Sequence, residues 1–249
     1  MIEDPWFYAA AVPAILLVGV AKGGFGSGAG VFATPLVALT VPIPQAAAIM
    51  LPILLVMDAV GLWAYRGTFS RENLRLILAG GLLGVLLGAL TFRYFSDAWI
   101  RVILGLMSVG FVLQRFAVRA SEERTVPSAA RGFFWSTLSG LTSTIAHAGG
   151  PPLSVYLLPQ RLDKAVLVGT TVVFFAVINA VKLVPYAWLE LFDARNLTTS
   201  LALAPLAPIG IWVGFSLMRR VSEALFYRIC YALLLVVGVR LLWSGIAAL

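Results

Sequence analysis

Apolar residues along this chain come in blocks of about twenty, separated by short polar clusters, and nowhere alternate with the two-residue period of a barrel strand. The blocks predict membrane-crossing helices at about 45–66, 74–95 and 99–117, and again at about 164–185, 197–218 and 225–245. Ser70 and Asp193 stand where an N-cap opens the middle span of each set. Ser96 and Ser222, each followed by an acidic residue, do the same for the last span. Ahead of each set lies a different kind of apolar stretch, residues 6–41 and 132–160, interrupted near its middle by glycines and prolines. At ~1.5 Å per residue the second would extend about 43 Å as one helix, against about 30 Å of hydrocarbon. A pair of half-helices that dips in and returns fits this length. So does one long kinked span, and length alone leaves the crossing number open.

The two sets read as copies of one pattern. Phe69-Ser-Arg-Glu-Asn-Leu74 recurs as Phe192-Asp-Ala-Arg-Asn-Leu197, and Gly88-Ala-Leu-Thr-Phe-Arg-Tyr-Phe-Ser-Asp-Ala98 as Gly214-Phe-Ser-Leu-Met-Arg-Arg-Val-Ser-Glu-Ala224. The expected organisation is a first transmembrane repeat over 1–118, a cytoplasmic linker over 119–131 and a second repeat over 132–249.

With 61% hydrophobic and 12% charged residues, and a mean hydropathy of +0.97, the chain has too little polar surface to coat a soluble globule. It begins Met-Ile-Glu-Asp-Pro, acidic where a signal peptide carries positive charge, so the first apolar stretch is expected to stay in the protein. The net charge of +7 is explained by loops. If each interrupted stretch returns to its starting side, twelve Lys and Arg lie on one face of the membrane and three on the other; a single crossing would leave no bias. The charge distribution therefore favours returning segments, both termini outside, and two halves inverted relative to each other. The fold expected is an all-α polytopic membrane protein with two inverted repeats, each a broken re-entrant-type helix pair plus three transmembrane helices.

Paired interruptions in two inverted halves are the sequence mark of a transporter's midplane site. Gly23, Gly24, Gly28 and Gly30 let backbone approach a ligand, and Gly149 and Gly150 do so in the second half. Short helices opening after each break aim free N–H groups at it, and Pro151 and Pro152 suit a first helical turn. That arrangement attracts anions. Lys22 adjoins the first break and is expected to draw the substrate; a lysine snorkelling from a helix end is the plainer alternative. His147 sits at the second break, as a donor, a proton carrier or a filled polar pocket. Ser27, Thr34, Ser143 and Thr144 offer hydroxyls to oxyanion oxygens, or bond only to their own backbone. Asp58, near the centre of its span, could pair with Lys22 or exchange a proton. Asn179 and Lys182 share one helical face in the matching span, and these three are the expected coupling or gating residues, although Lys182 is near enough to a helix end to snorkel. With one His and one Cys, a conventional zinc site or a Cys/His catalytic pair is nearly excluded.

The runs Val20-Ala-Lys-Gly-Gly-Phe-Gly-Ser-Gly-Ala-Gly-Val-Phe-Ala-Thr-Pro35 and Gly140-Leu-Thr-Ser-Thr-Ile-Ala-His-Ala-Gly-Gly-Pro-Pro152 resemble the repeated signature of the sulfite exporter TauE/SafE family. That resemblance covers nearly the whole chain and implies a permease for sulfite, organosulfonates or related anions. The expectation is a secondary transporter in the bacterial inner membrane, working by alternating access. It is not expected to be an enzyme and needs no metal and no cofactor. No ATP-binding loop of the Walker type appears, so the drive would come from gradients. The partners expected are a small anionic substrate and the lipid bilayer, not nucleic acid; assembly as a homodimer is left open. A cation or metal permease would want more carboxylates or His at the breaks, and an intramembrane hydrolase using Ser27 or Ser143 with His147 lacks an acid to orient the imidazole.

Overall fold

The computed structural model describes residues 1–25, 31–117, 125–217 and 222–249, all of whose regular elements are helical. Helix α1 (Pro5–Val20) runs into a π-helical turn (Ala21–Phe25), followed by α2 (Ala33–Val37), α3 (Ile43–Ala64), α4 (Arg71–Tyr94) and α5 (Asp97–Ala117). The later part comprises α6 (Ala129–Ala146), α7 (Gly150–Leu157), a 3-10 turn (Leu158–Gln160), α8 (Lys164–Trp188), α9 (Ala194–Leu203), α10 (Leu206–Leu217) and α11 (Glu223–Ile246). Among the described residues, six segments are long and apolar enough to cross a membrane: Pro5–Gly23, Ile43–Ala64, Arg71–Tyr94, Lys164–Trp188, Ala194–Gly214 and Arg228–Ile246.

The caps read from the sequence hold. Ser70 accepts from Asn73 N at 3.2 Å, Asp193 from Asn196 N at 2.6 Å, Ser96 from Trp99 N at 3.4 Å and Ser222 from Leu225 N at 3.3 Å. Two features differ from expectation. The span predicted at 197–218 is two helices, because Pro205 has no N–H for the ladder and the chain turns over residues 204–205. The first interrupted stretch opens with a span-length segment, since α1 continues through Pro13 and breaks only at Ala21. Helix α5, 21 residues long, falls outside the six apolar segments; Asp97 and Arg101 pair within its first turns at 2.6 Å.

Contacts at the helix ends decide where each interrupted stretch goes. Thr125 N donates to Pro159 O at 3.0 Å, and the Tyr156 ring lies against Gly132, so α7 runs back along α6 to the end where α6 began. In the first half, Ile2 N bonds Thr199 Oγ1 at 3.0 Å while Gln45 Nε2 bonds Asn196 Oδ1 at 2.9 Å. Entry to α1 and entry to α3 thus lie together beside the start of α9. Both interrupted stretches return. Ser70 N on Thr170 Oγ1 (2.9 Å) and the reciprocal Asn73–Gln160 amide pair (2.9 and 3.1 Å) gather the α3–α4 and α7–α8 junctions at one end. Arg66, Arg71, Arg75, Arg131, Arg161 and Lys164 sit at that end. At the other, the Arg93 guanidinium stacks over Trp188 at 4.6 Å and Gly245 packs on Ala98, which places both chain termini there.

Helix pairing crosses between the halves. Gly80, Gly84 and Gly88 of α4 abut Ser136, Thr137, Gly140 and Thr144 of α6, while Gly210 and Gly214 of α10 abut Gly19 and Val20 of α1. Each opening helix therefore lies against the middle span of the other half, and α3 packs on α8 and α5 on α11. Small residues at these seams let backbones approach where lipid tails supply no hydrophobic drive for helix association. Asn73 and Asn196 hold matching places in the two copies of the repeated motif, and each bonds a glutamine, Gln160 or Gln45, at the exit of the other half's opening segment. This exchange is consistent with two inverted halves. Trp6, Trp63, Trp188 and Trp243, near helix ends, are exposed to the surroundings as an interfacial belt requires.

Candidate functional site

The polar centre of the molecule lies between α3 and α8, where the two interruptions meet them. The π-turn that ends α1 carries Lys22, whose ammonium is 2.5 Å from Asp58 Oδ1. Asp58, 4% exposed, takes its second bond on Oδ2 from Asn179 Nδ2, also at 2.5 Å. Asn179, Lys182 and Tyr186 follow one another at helical spacing on one face of α8. Lys182 is wholly buried and does not snorkel. Its Nζ lies 3.0 Å from Ser143 O, 3.1 Å from Ser143 Oγ and 2.9 Å from His147 Nδ1. The other ring nitrogen, Nε2, is 2.9 Å from the Ala47 carbonyl of α3. A carbonyl only accepts, so Nε2 carries the hydrogen and Nδ1 presents its lone pair to Lys182.

The second break forms because Pro151 and Pro152 cannot continue a helix from α6 but suit the first turn of α7. His147 takes the left-handed conformation at the end of α6, with φ of 52°, and its N–H returns to Ser143 O at 2.9 Å. Hydroxyls of α6 hold the turn: Ser139 donates to Gly149 O at 2.7 Å and Thr142 to Ala148 O at 3.1 Å. The last carbonyls of α6 are satisfied from α8, Ser143 O by Lys182 and Thr144 O by the Tyr186 hydroxyl at 2.6 Å. A cation there also meets the negative end of the helix dipole.

The residues singled out in the sequence divide accordingly. Lys22, Asp58 and Asn179 bond in one group and Lys182, His147 and Ser143 in a second; the α8 face that carries Asn179 and Lys182 aligns the two as one polar line, and Ala47 and Asp58 mark a reach of about 16 Å along α3. The Thr144 hydroxyl is already spent on Gly140 O at 2.8 Å, the own-backbone alternative. Thr34 is fully buried, and its hydroxyl has no hydrogen-bond partner among the described residues. Gly23 and Gly149 are close-packed: a Cβ on Gly23 would collide with the Ile211 carbonyl, and one on Gly149 would come within 2.6 Å of Ser139 O. Gly24 lies in the π-turn and Gly150 opens α7, its carbonyl taking the Ser154 hydroxyl at 2.8 Å. Ser27, Gly28 and Gly30 lie outside the described residues. Tyr186 went unread in the sequence, although it extends the Asn179–Lys182 face by one turn and that spacing could have found it.

A family model described as sulfite exporter TauE/SafE matches residues 11–241. No curated protein and no solved structure matches the chain.

Proposed function

Because this chain belongs to the sulfite exporter TauE/SafE family, we propose that it is a secondary transporter that carries a small oxyanion, sulfite or an organosulfonate, through the bacterial inner membrane by alternating access. The observation that carries the reading is the buried cationic line. Lys22 bonds the one buried carboxylate of the described residues, Asp58, while Lys182 lies buried against His147 and Ser143, in a protein whose surroundings are lipid. Ionisable groups at such depth mark a transport path. Lys22, Gly23, Gly24, Ser27, Gly28, Gly30 and Thr34 would hold the anion from the first half. Ser143, Thr144, His147, Gly149 and Gly150 would face it from the second. Asp58, Asn179 and Lys182 would couple or gate. Placing the Arg-rich end in the cytoplasm puts both termini outside, as the distribution of positive charge favours.

Flux of sulfite, methanesulfonate and taurine into proteoliposomes tests the reading. Wild type is expected to move at least one of them, and Lys22→Ala to abolish that movement while keeping a cooperative melting transition. Undiminished flux in Lys22→Ala would remove Lys22 from the site, and no flux by wild type would remove the transport assignment.

A further inference from the structure

Among the described residues, Asp58 and Lys182 are the charged side chains that are fully buried, and Lys22, 23% exposed, completes the group through its bond to Asp58. Lys182 has no carboxylate. Its three neighbours are a carbonyl, a hydroxyl and an imidazole lone pair, which match the three N–H donors of an ammonium. His147 is neutral in this arrangement, with Nε2–H on the Ala47 carbonyl. Among the described residues, the remaining groups facing the line carry no charge: Ser143 and Thr144 from α6, Asn179 and Tyr186 from α8. Lys22 and Asp58 cancel, so the line holds one formal positive charge in excess. The carbonyl end of α6 offsets roughly half a unit of it.

We infer that this site is built for one negative charge: a monovalent oxyanion is carried alone, and a divalent one only together with a proton. The inference rests on the proposed transport and names the charge class of its cargo. A monovalent anion bound at Lys22, within the field of the buried Lys182, brings the line to neutrality, whereas a divalent one leaves a net negative charge that the bilayer interior disfavours. Asp58 is where the compensating proton goes. An anion that takes over Lys22 removes the contact on Oδ1, and the carboxyl freed there can accept a proton from the side on which the anion entered. Asn179 serves either form, since its amide donates to the carboxylate and, turned over, its carbonyl accepts from the acid. No other buried carboxylate among the described residues competes for that proton.

The test uses the full chain in proteoliposomes loaded with a pH dye, comparing methanesulfonate and isethionate with sulfate and sulfoacetate at fixed ionic strength. Wild type should move the monovalent pair without proton uptake and the divalent pair with one proton each, faster as pH falls. Asp58→Asn raises the buried excess by one unit, so the divalent-to-monovalent flux ratio should rise at least about tenfold and the proton should disappear. Lys182→Met lowers the excess and should shift the ratio the other way by a similar factor. A ratio unmoved in both variants, or divalent flux without protons in wild type, overturns the inference while leaving transport standing. Movement of none of the four anions by wild type overturns both. If Asp58→Asn shows no cooperative melting, Lys182→Met decides alone, and an unmoved ratio there is equally fatal.

Discussion

Asn179 of α8 donates its side-chain amide to Asp58 of α3 at 2.5 Å, so the buried carboxylate of the described residues is held at once from the earlier and the later part of the chain. Lys22 holds its other oxygen at the same distance. A carboxylate taken out of water is tolerated only when both oxygens are engaged in this way.

Removing Asp58 should therefore hurt stability more than removing the pair. Asp58→Ala leaves a partly buried ammonium and an amide without their acceptor, a loss of about 3–5 kcal/mol. The double variant Lys22→Met/Asp58→Leu should recover most of it. Thermal unfolding in detergent measures both, and a single variant melting with the wild type would show that the bond does not matter to folding.

At His147 the backbone and the side chain can be separated. A left-handed residue costs a β-branched side chain about 1–2 kcal/mol that glycine does not incur. His147→Val should then melt below His147→Gly. Both should show lowered anion flux, because each deprives Lys182 of an acceptor. Equal melting temperatures would contradict the role of the turn, and retained flux the role of the imidazole.

The seam between α4 and α6 tolerates no added methyl group. A Cβ on Gly84 would collide with the Thr137 carbonyl, which is backbone and cannot step aside, whereas Gly110 in α5 has open space around it. Gly84→Ala should be destabilised by about 1–3 kcal/mol through overpacking. Gly110→Ala should be neutral or slightly stabilising, since alanine favours helix. Unfolding of the two variants side by side checks the seam, and equal effects would refute it.

Sidedness has its own experiment. Phe69 and Phe192 open matching motifs and lie at opposite ends of the bundle, near the α3–α4 and α8–α9 junctions. With the buried Cys230 replaced by serine, single cysteines at these positions should be modified by an impermeant maleimide from opposite sides of the membrane. Labelling from one side would refute the inverted arrangement.

Much of this architecture was legible in the primary structure for identifiable reasons. Caps such as Ser70 and Asp193 act on their own helix within three residues, so their meaning is local. Arginine placement is likewise local, and it anticipated the gathering of Arg66, Arg131 and Arg161 at one end. The break at Pro205 follows the same local logic, since its missing N–H interrupts the helix within its own turn.

The chain alone determined that it is helical, that it spans a membrane several times, that its pattern is doubled, and which few polar residues had to be accounted for in its apolar interior. Those properties follow from hydropathy and short-range hydrogen bonding. Only the tertiary structure decided that α6 lies on α4 and α1 on α10, that Asn73 finds Gln160, and that Lys182 is satisfied by the end of α6 and His147 rather than by Asp58. Such partners stand tens to more than a hundred residues apart, and nothing in either residue's neighbourhood encodes the other. Their pairing follows from close packing of glycine-lined helices, which leaves a buried donor only the acceptors that the neighbouring helix presents.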